Sequence, residues 1–363
     1  MNADFILAIG ELGREKGIDP ELLFQAVEEA LVTAYKKNFG SNQNVRVDMN
    51  KETGELHVYA QRHIVEEVGD DPNEISLEEA RKIDPRYEVD DIVETEVTPR
   101  NFGRIAAQNA KQVVVQRIRE AERGMVFEKF SSREKDIVTG IIQRMENKNV
   151  YIDLGKAEAI LTPNEQIPGE IYQYHDRMKT YIVEVKKTSK GPQIMVSRTH
   201  PGLLKRLFEL EVPEIHDGLV EIKSVAREPG MRSKISVYTK DENIDPVGAC
   251  VGHKGMRVQT IVNELRGEKI DIVKYSAEPD QYVANALSPA KVVSTEVLEE
   301  EKICRVIVPD YQLSLAIGKE GQNARLAAKL TGWKIDIKSE SQAAEEAEQG
   351  TQEAGVAYEA DED

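Results

Sequence analysis

The chain contains the same short glycine motif twice, and each copy lies in the same frame. The first reads Val251-Gly252-His253-Lys254-Gly255 and the second Ile317-Gly318-Lys319-Glu320-Gly321, with their leading glycines 66 positions apart. Apolar residues at helical spacing precede each copy, and a second helical stretch and a short strand follow. Asn263 to Ile272 matches Ala328 to Ile337 at an offset of 65, so one residue is gained or lost inside the second helix. Two copies in one frame mark a duplicated structural unit. Glycines at this spacing permit positive φ and remove the Cβ that would keep another backbone away. The helix that follows directs its free N–H groups and positive dipole end at the turn, which suits a phosphodiester chain. A plain helix-turn-helix corner with no ligand is the alternative.

The surrounding pattern defines the unit. Val220 to Ala226 and Ser233 to Tyr238 alternate as strands around Glu228-Pro229-Gly230, then come the glycine-motif helices and a strand from Lys269 to Tyr275. The second copy repeats this with Val292 to Val297, Ile303 to Val308 and Lys334 to Lys338. Helical stretches Pro201 to Leu210 and Asp280 to Leu287 lead the two copies. The order α-β-β-α-α-β resembles the bacterial, type II KH arrangement, whose loop clamps about four nucleotides of a single strand. On that reading RNA contacts fall on Gly252, His253, Lys254, Gly255 and Arg257 in the first copy. In the second they fall on Gly318, Lys319, Gly321 and Arg325. Glu320 weakens the second loop electrostatically.

Net charge is −17, which sits poorly with a nucleic-acid binder until it is divided along the chain. Residues 1–128 carry 26 acidic and 16 basic side chains, residues 129–338 carry 30 and 32, and residues 339–363 carry nine and none. The acid is at the ends, and the balanced middle is free to present a basic face. RNA affinity resting on such a segment is expected to be modest and strongly salt-dependent.

Residues 131–200 read as about five short strands, Asp136 to Arg144, Asn149 to Leu154, Thr180 to Thr188 and Gln193 to Ser197 being the clearest. That suits an OB-fold barrel, and the runs Val138-Thr139-Gly140-Ile141-Ile142, Tyr151-Ile152-Asp153-Leu154-Gly155, Asp176-Arg177 and Ser197-Arg198 resemble its S1 version. Tyr151 is a candidate stacking platform for a base, with Arg177, Lys179 and Arg198 neutralising phosphates. The alternatives are barrel packing for Tyr151 and solvated surface for the cations.

Residues 1–40 read as two helices, the second opened by Asp19-Pro20. Val45 to Met49 and Glu55 to Val68 read as a hairpin, and Ser76-Leu77-Glu78-Glu79 as a capping box. Asn101 to Gly124 reads as one long helix broken at Gly124. No nucleotide-binding loop, catalytic triad spacing or Cys/His metal pattern occurs, so neither an enzyme nor any cofactor or metal is expected. Cys250 and Cys304 read as buried apolar residues. No run approaches the ~20 apolar residues of a membrane span. Met1-Asn2-Ala3-Asp4 lacks the start of a secretion signal, so a cytoplasmic location is expected. Residues 341–363 read as a disordered acidic tail.

The domain order, together with Ser197-Arg198-Thr199-His200-Pro201, Phe208 to Ile215, Asp245 to Gly252 and Ile317 to Ala328, closely resembles the NusA family of bacterial transcription elongation and termination factors. The resemblance covers about residues 1–340. It implies a multidomain α+β chain: residues 1–130 an α/β domain docking on RNA polymerase, 131–200 the S1 domain, 201–277 and 278–340 the two KH domains, and 341–363 the tail. It implies a monomer that contacts single-stranded nascent RNA, modulates pausing, intrinsic termination and antitermination, and works with other Nus-type factors. By the same carry-over, Lys37, Arg104 and Lys111 would touch emerging hairpin RNA near the polymerase. Some members carry further acidic repeat domains, which this chain does not show. The rival readings are a free-standing or ribosome-associated RNA-binding protein and an RNA-degrading phosphorylase component. The latter places its KH unit before the barrel and needs large catalytic domains.

Overall fold

The computed structural model describes residues 3–39, 42–69 and 72–346. The chain divides into two compact units, Met1–Glu128 and Lys129–Asp363.

The first unit holds α1 (Ala3–Lys16), α2 (Pro20–Phe39), β1 (Asn44–Met49), β2 (Leu56–Val65), β3 (Glu74–Ser76), α3 (Leu77–Ile83), β4 (Ile92–Glu96) and most of α4 (Phe102–Ser131). Asp19 Oδ1 accepts from the Glu21 N–H at 2.9 Å and starts α2. Ser76 Oγ accepts from the Glu79 N–H at 3.3 Å and starts α3. β2 pairs antiparallel with β1 and β4 and parallel with β3. Strict alternation turns Val45, Val47 and Met49 of β1 inward, against Leu23, Val27 and Leu31 of α2 and Phe102, Ala106, Ala110 and Val114 of α4. Removing each large side chain of this kind from water contributes about 1.5–3 kcal/mol. The expected break at Gly124 does not occur, because α4 continues through it to Ser131. A glycine inside a helix costs only about 1 kcal/mol, no proline follows it, and Phe130 beyond it is buried.

The second unit opens with a closed five-stranded barrel: β5 (Ile137–Glu146), β6 (Asn149–Asp153), β7 (Glu158–Leu161), β8 (Arg177–Thr188) and β9 (Gly191–Ser197), in the order β5-β6-β7-β9-β8. The first KH domain follows as α5 (Pro201–Glu211), α6 (Pro213–His216), β10 (Glu221–Glu228), β11 (Arg232–Tyr238), α7 (Pro246–Val251), α8 (Met256–Glu264) and β12 (Lys269–Lys274). The second comprises α9 (Pro279–Ala286), β13 (Ser294–Leu298), β14 (Ile303–Val308), α10 (Leu313–Ile317), α11 (Gln322–Thr331) and β15 (Lys334–Ser339). In both sheets the first two strands are antiparallel and the last is parallel to the second. Residues 340–346 are helical, and the rest of the expected acidic tail, residues 347–363, lies outside the described residues.

The three modules share cores. Leu203, Leu204, Leu207 and Phe208 of α5 lie in one apolar cluster with Ile137 and Tyr181 of the barrel and Ile235 and Val237 of β11. The core of the second KH domain takes in Ala226 and Val273 from the opposite face of the first domain's sheet. On that same face Lys234 donates to Asp271 Oδ2 at 3.0 Å and to the Ser288 carbonyl at 2.7 Å, and the Tyr282 hydroxyl bonds Ser236 Oγ at 2.8 Å. The equivalent face of the second KH sheet carries Glu296, Arg305, Asp336 and Lys338, which border an open groove of about 440 Å³. Cys250 and Cys304 are both free and buried, and burial pushes the Cys250 thiol up to about 12.

Candidate nucleic-acid interface

The two glycine loops follow one backbone path. Gly252, Lys254 and Gly255 have φ of 73°, 51° and 76°, and Gly318, Glu320 and Gly321 have 76°, 52° and 72°. Three left-handed residues within four reverse the chain and aim it at the start of the next helix. Neither α8 nor α11 has a side-chain cap or an acidic residue in its first turn, and the Met256 and Gln322 N–H groups donate to the His253 and Lys319 carbonyls, so the positive end of each helix dipole faces its loop with no carboxylate against it.

The two glycines of each loop serve different purposes. A Cβ on Gly318 would stand 2.8 Å from the backbone nitrogen of Asn323, and one on Gly252 would stand 2.7 Å from Arg257 Cγ. The leading glycine lets the loop close on its own helix. A Cβ on Gly255 or Gly321 meets nothing nearer than 3.9 Å, so the trailing glycine keeps an open approach for another backbone. Gly318→Ala is therefore expected to destabilise the full chain by about 1–3 kcal/mol in urea unfolding, through strain at a glycine-only conformation. It would also push Asn323, whose amide donates to the Leu287 and Ala316 carbonyls at 3.0 Å each. Gly321→Ala, with open space around it, should cost less.

Around the first loop His253 and Lys254 are exposed. Arg257 is not a free cation: its Nη1 donates to Glu214 Oε2 at 2.9 Å and to the Ala249 carbonyl at 2.6 Å, bracing the loop. Around the second loop Lys319 and Glu320 are exposed. Arg325 donates from Nε to Glu228 Oε1 at 2.6 Å and from Nη1 to the Glu320 carbonyl at 3.0 Å, which ties the loop to β10 of the first KH domain.

On the barrel, Tyr151 of β6 is half-buried, and Arg144, its cross-strand neighbour, lies 4.0 Å from its ring centroid. Arg144 also bonds Glu158 at 2.8 Å. Sequence reasoning missed Arg144 because a register shift between Ile142 and Arg144 turns it toward Tyr151. Arg177 is exposed opposite Ile141. Beside it Tyr174 is 62 % exposed and packs edge-on against His175 at 4.0 Å, a second aromatic feature that the sequence pattern did not flag.

Arg198 requires a correction. It is 1 % exposed and cannot reach an RNA phosphate. Its guanidinium bonds Glu170 at 2.5 Å and the carbonyls of Lys179 and Glu264 at 2.9 and 3.0 Å, joining the barrel to α8. Lys179 belongs to the same seam, its Nζ 3.1 Å from Glu264 Oε2. Arg227 completes the seam with a two-point bond to buried Glu268 at 2.8 and 2.9 Å and a third to the His200 carbonyl at 2.9 Å.

In the first unit, Lys37 is exposed in the last turns of α2, and Arg104 and Lys111 are exposed two turns apart on α4. None of the three forms an ion pair among the described residues, so all are free to meet an anion. No described helix is long and apolar enough to cross a membrane.

Family descriptions match the chain in four consecutive segments. Residues 4–124 match the NusA N-terminal domain and 132–197 the S1 RNA binding domain. Residues 198–275 match the NusA-like first KH domain and 279–345 the NusA-like second KH domain. The transcription termination/antitermination protein NusA of Halalkalibacterium halodurans is 66 % identical over 345 residues, which is 95 % of this chain and 90 % of that one. Its Bacillus subtilis counterpart is 65 % identical, covering 95 % and 93 %. The solution structure of the N-terminal domain of B. subtilis NusA is 56 % identical, with a TM-score of 0.31, and covers 34 % of this chain and 99 % of that one.

Proposed function

The chain belongs to the NusA family of transcription termination/antitermination proteins, and from that membership we propose how its parts divide the work. It is an RNA-binding transcription factor. The unit Met1–Glu128 docks on RNA polymerase, and Lys37, Arg104 and Lys111 meet hairpin RNA as it emerges. Tyr151, Arg144 and Arg177 of the barrel and the loops at Gly252–Gly255 and Gly318–Gly321 take up single-stranded nascent RNA. It acts as a monomer in the cytoplasm, where transcription proceeds, alongside other Nus-type factors, and it catalyses no reaction of its own.

The observation that carries this reading is the pair of glycine loops with matching backbone angles, each opening on a helix N-terminus that no side chain caps. Each contact is weak by itself. Docking on the polymerase raises the effective concentration of RNA at every module, so the weak contacts add. The protein thereby biases whether a hairpin forms in the nascent transcript, and with it pausing, termination and antitermination.

Single-round transcription on a hairpin-pause template tests this. The intact chain is expected to change pause lifetime, and a variant with Lys37, Arg104 and Lys111 all changed to glutamate is expected to lose most of that change while keeping its affinity for single-stranded RNA. An intact chain that binds RNA but leaves pausing and termination untouched would return the reading to a free-standing RNA-binding protein.

A further inference from the structure

The two glycine loops share a backbone but differ in what surrounds them. In the first KH domain the position seven residues before Gly252 is Asp245, whose carboxylate accepts from the Val247 N–H at 3.1 Å and starts α7. Ala249 and Val251 on that helix are half-buried. The same positions before Gly318 are Tyr311, Leu315 and Ile317, and all three are exposed, by 80 %, 47 % and 37 %. Tyr311 is thus a large aromatic side chain left almost entirely in water, four residues from an exposed leucine and seven from the loop.

The backbone carrying Tyr311 is held on both sides. Asp310 accepts from the Ser341 N–H at 3.2 Å and the Ser341 hydroxyl at 2.7 Å. Gln312 Oε1 accepts from the Lys291 N–H. An aromatic on a fixed backbone loses little freedom when something stacks on it. A cluster of exposed apolar residues beside a binding loop marks a contact surface rather than scattered surface residues. The charges point the same way. The first loop carries His253 and Lys254, whereas in the second Glu320 offsets Lys319, so the second loop needs another source of affinity.

We propose that Tyr311, with Leu315 one helical turn on, forms a stacking platform for an unpaired nucleobase next to the Gly318–Gly321 loop. The two KH domains then bind one RNA strand by different means, the first mainly through phosphate charge and the second mainly through a base. This rests on the RNA-binding reading of the loops. The platform is continuous with the second loop, and an aromatic face accepts any base without hydrogen-bond readout.

The test uses the full chain and a single-stranded RNA long enough to span both loops, titrated between 0.05 and 0.3 M salt. Tyr311→Ala is expected to lower affinity about tenfold with the slope of log affinity against log salt unchanged. Tyr311→Phe should bind as the parent does. Lys254→Ala should lower affinity and flatten the slope. An RNA with one abasic site at the stacked position should bind the parent and Tyr311→Ala equally. If Lys254→Ala has its effect and Tyr311→Ala has none, the platform is overturned and the loop reading stands. If neither variant has an effect, the loop reading itself fails. If Tyr311→Ala spares RNA binding but weakens the effect on transcription, the patch serves a protein partner and the proposal is wrong. Tyr311 is exposed, so loss of folding is not expected, and matched melting curves check this.

Discussion

Arg227→Ala is expected to destabilise the unit from Lys129 onward by about 3–5 kcal/mol, the usual consequence of leaving a buried charge alone. Glu268 is fully buried, and its carboxylate accepts from Arg227, from Ser233 Oγ at 2.6 Å and from the Gly230 N–H at 2.9 Å. Burial by itself would raise its pKa, but the Arg227 bonds and charge, with Ser233 and Gly230, outweigh burial and hold it below the ordinary value. In the parent chain the folded pKa is therefore the lower one. The stabilisation is present above the ordinary carboxylate pKa and is lost as pH falls through the folded value. Without Arg227 the sign reverses: burial raises the folded pKa, and protonation relieves the stranded charge. The loss on Arg227→Ala should be largest near pH 7 and shrink toward pH 4–5, as read by urea unfolding at the two pH values. The double replacement Arg227→Met, Glu268→Leu should recover most of the loss. A single substitution that costs under 1 kcal/mol at pH 7 would mean that the pair is not what fastens β10 to β12.

Changing His253 and Lys254 together to aspartate should lower RNA affinity by about 10- to 100-fold near 0.1 M salt. The change removes a cation and a donor from the loop and sets two anions against the phosphates. Each lost phosphate contact on a single strand reduces the salt slope by about 0.7, so the parent and the variant should converge as screening shortens the reach of charge. Both side chains are exposed and aspartate tolerates the left-handed conformation at position 254, so melting should not change. The counterpart Lys319→Asp should have a smaller effect, because Glu320 already offsets that charge. An equal loss at 1 M salt would indicate a damaged loop rather than a removed electrostatic contact.

The loops were legible in the sequence because their geometry is local: glycines at fixed spacing dictate left-handed turns, and the flanking apolar periodicity dictates the helices. The barrel was legible except for β7, a four-residue strand too short to show alternation. The cations were not legible as a class. Arg198 looks like a phosphate ligand within Ser197-Arg198-Thr199, and only the fold brings it to Glu170, 28 residues away, and to the Glu264 carbonyl, 66 residues away. Arg257 and Arg325 occupy the expected turns of their helices but are drawn to Glu214 and Glu228. His253, Lys254 and Lys319 sit on the loops themselves, and Arg177 at the exposed start of β8, where no distant partner among the described residues claims them. Whether an arginine faces solvent or a buried carboxylate is decided by contacts across tens of residues, which periodicity does not encode.

The difference between the two KH sheets also limits how this architecture grows. The second domain seats itself on Ala226, Ser236 and Val273 of the first. Through the register of their strands, Glu296, Ile307 and Lys338 occupy those places on the second sheet. A third copy stacked in the same way would have to dehydrate Glu296 with its partner Arg305 and Lys338 with its partner Asp336, and taking charges out of water costs several kcal/mol per ion, which a pair repays only in excellent geometry. The charged face acts as a terminating cap of the sort that ends repeat arrays. Duplication of this unit therefore stops at two unless the face changes with it.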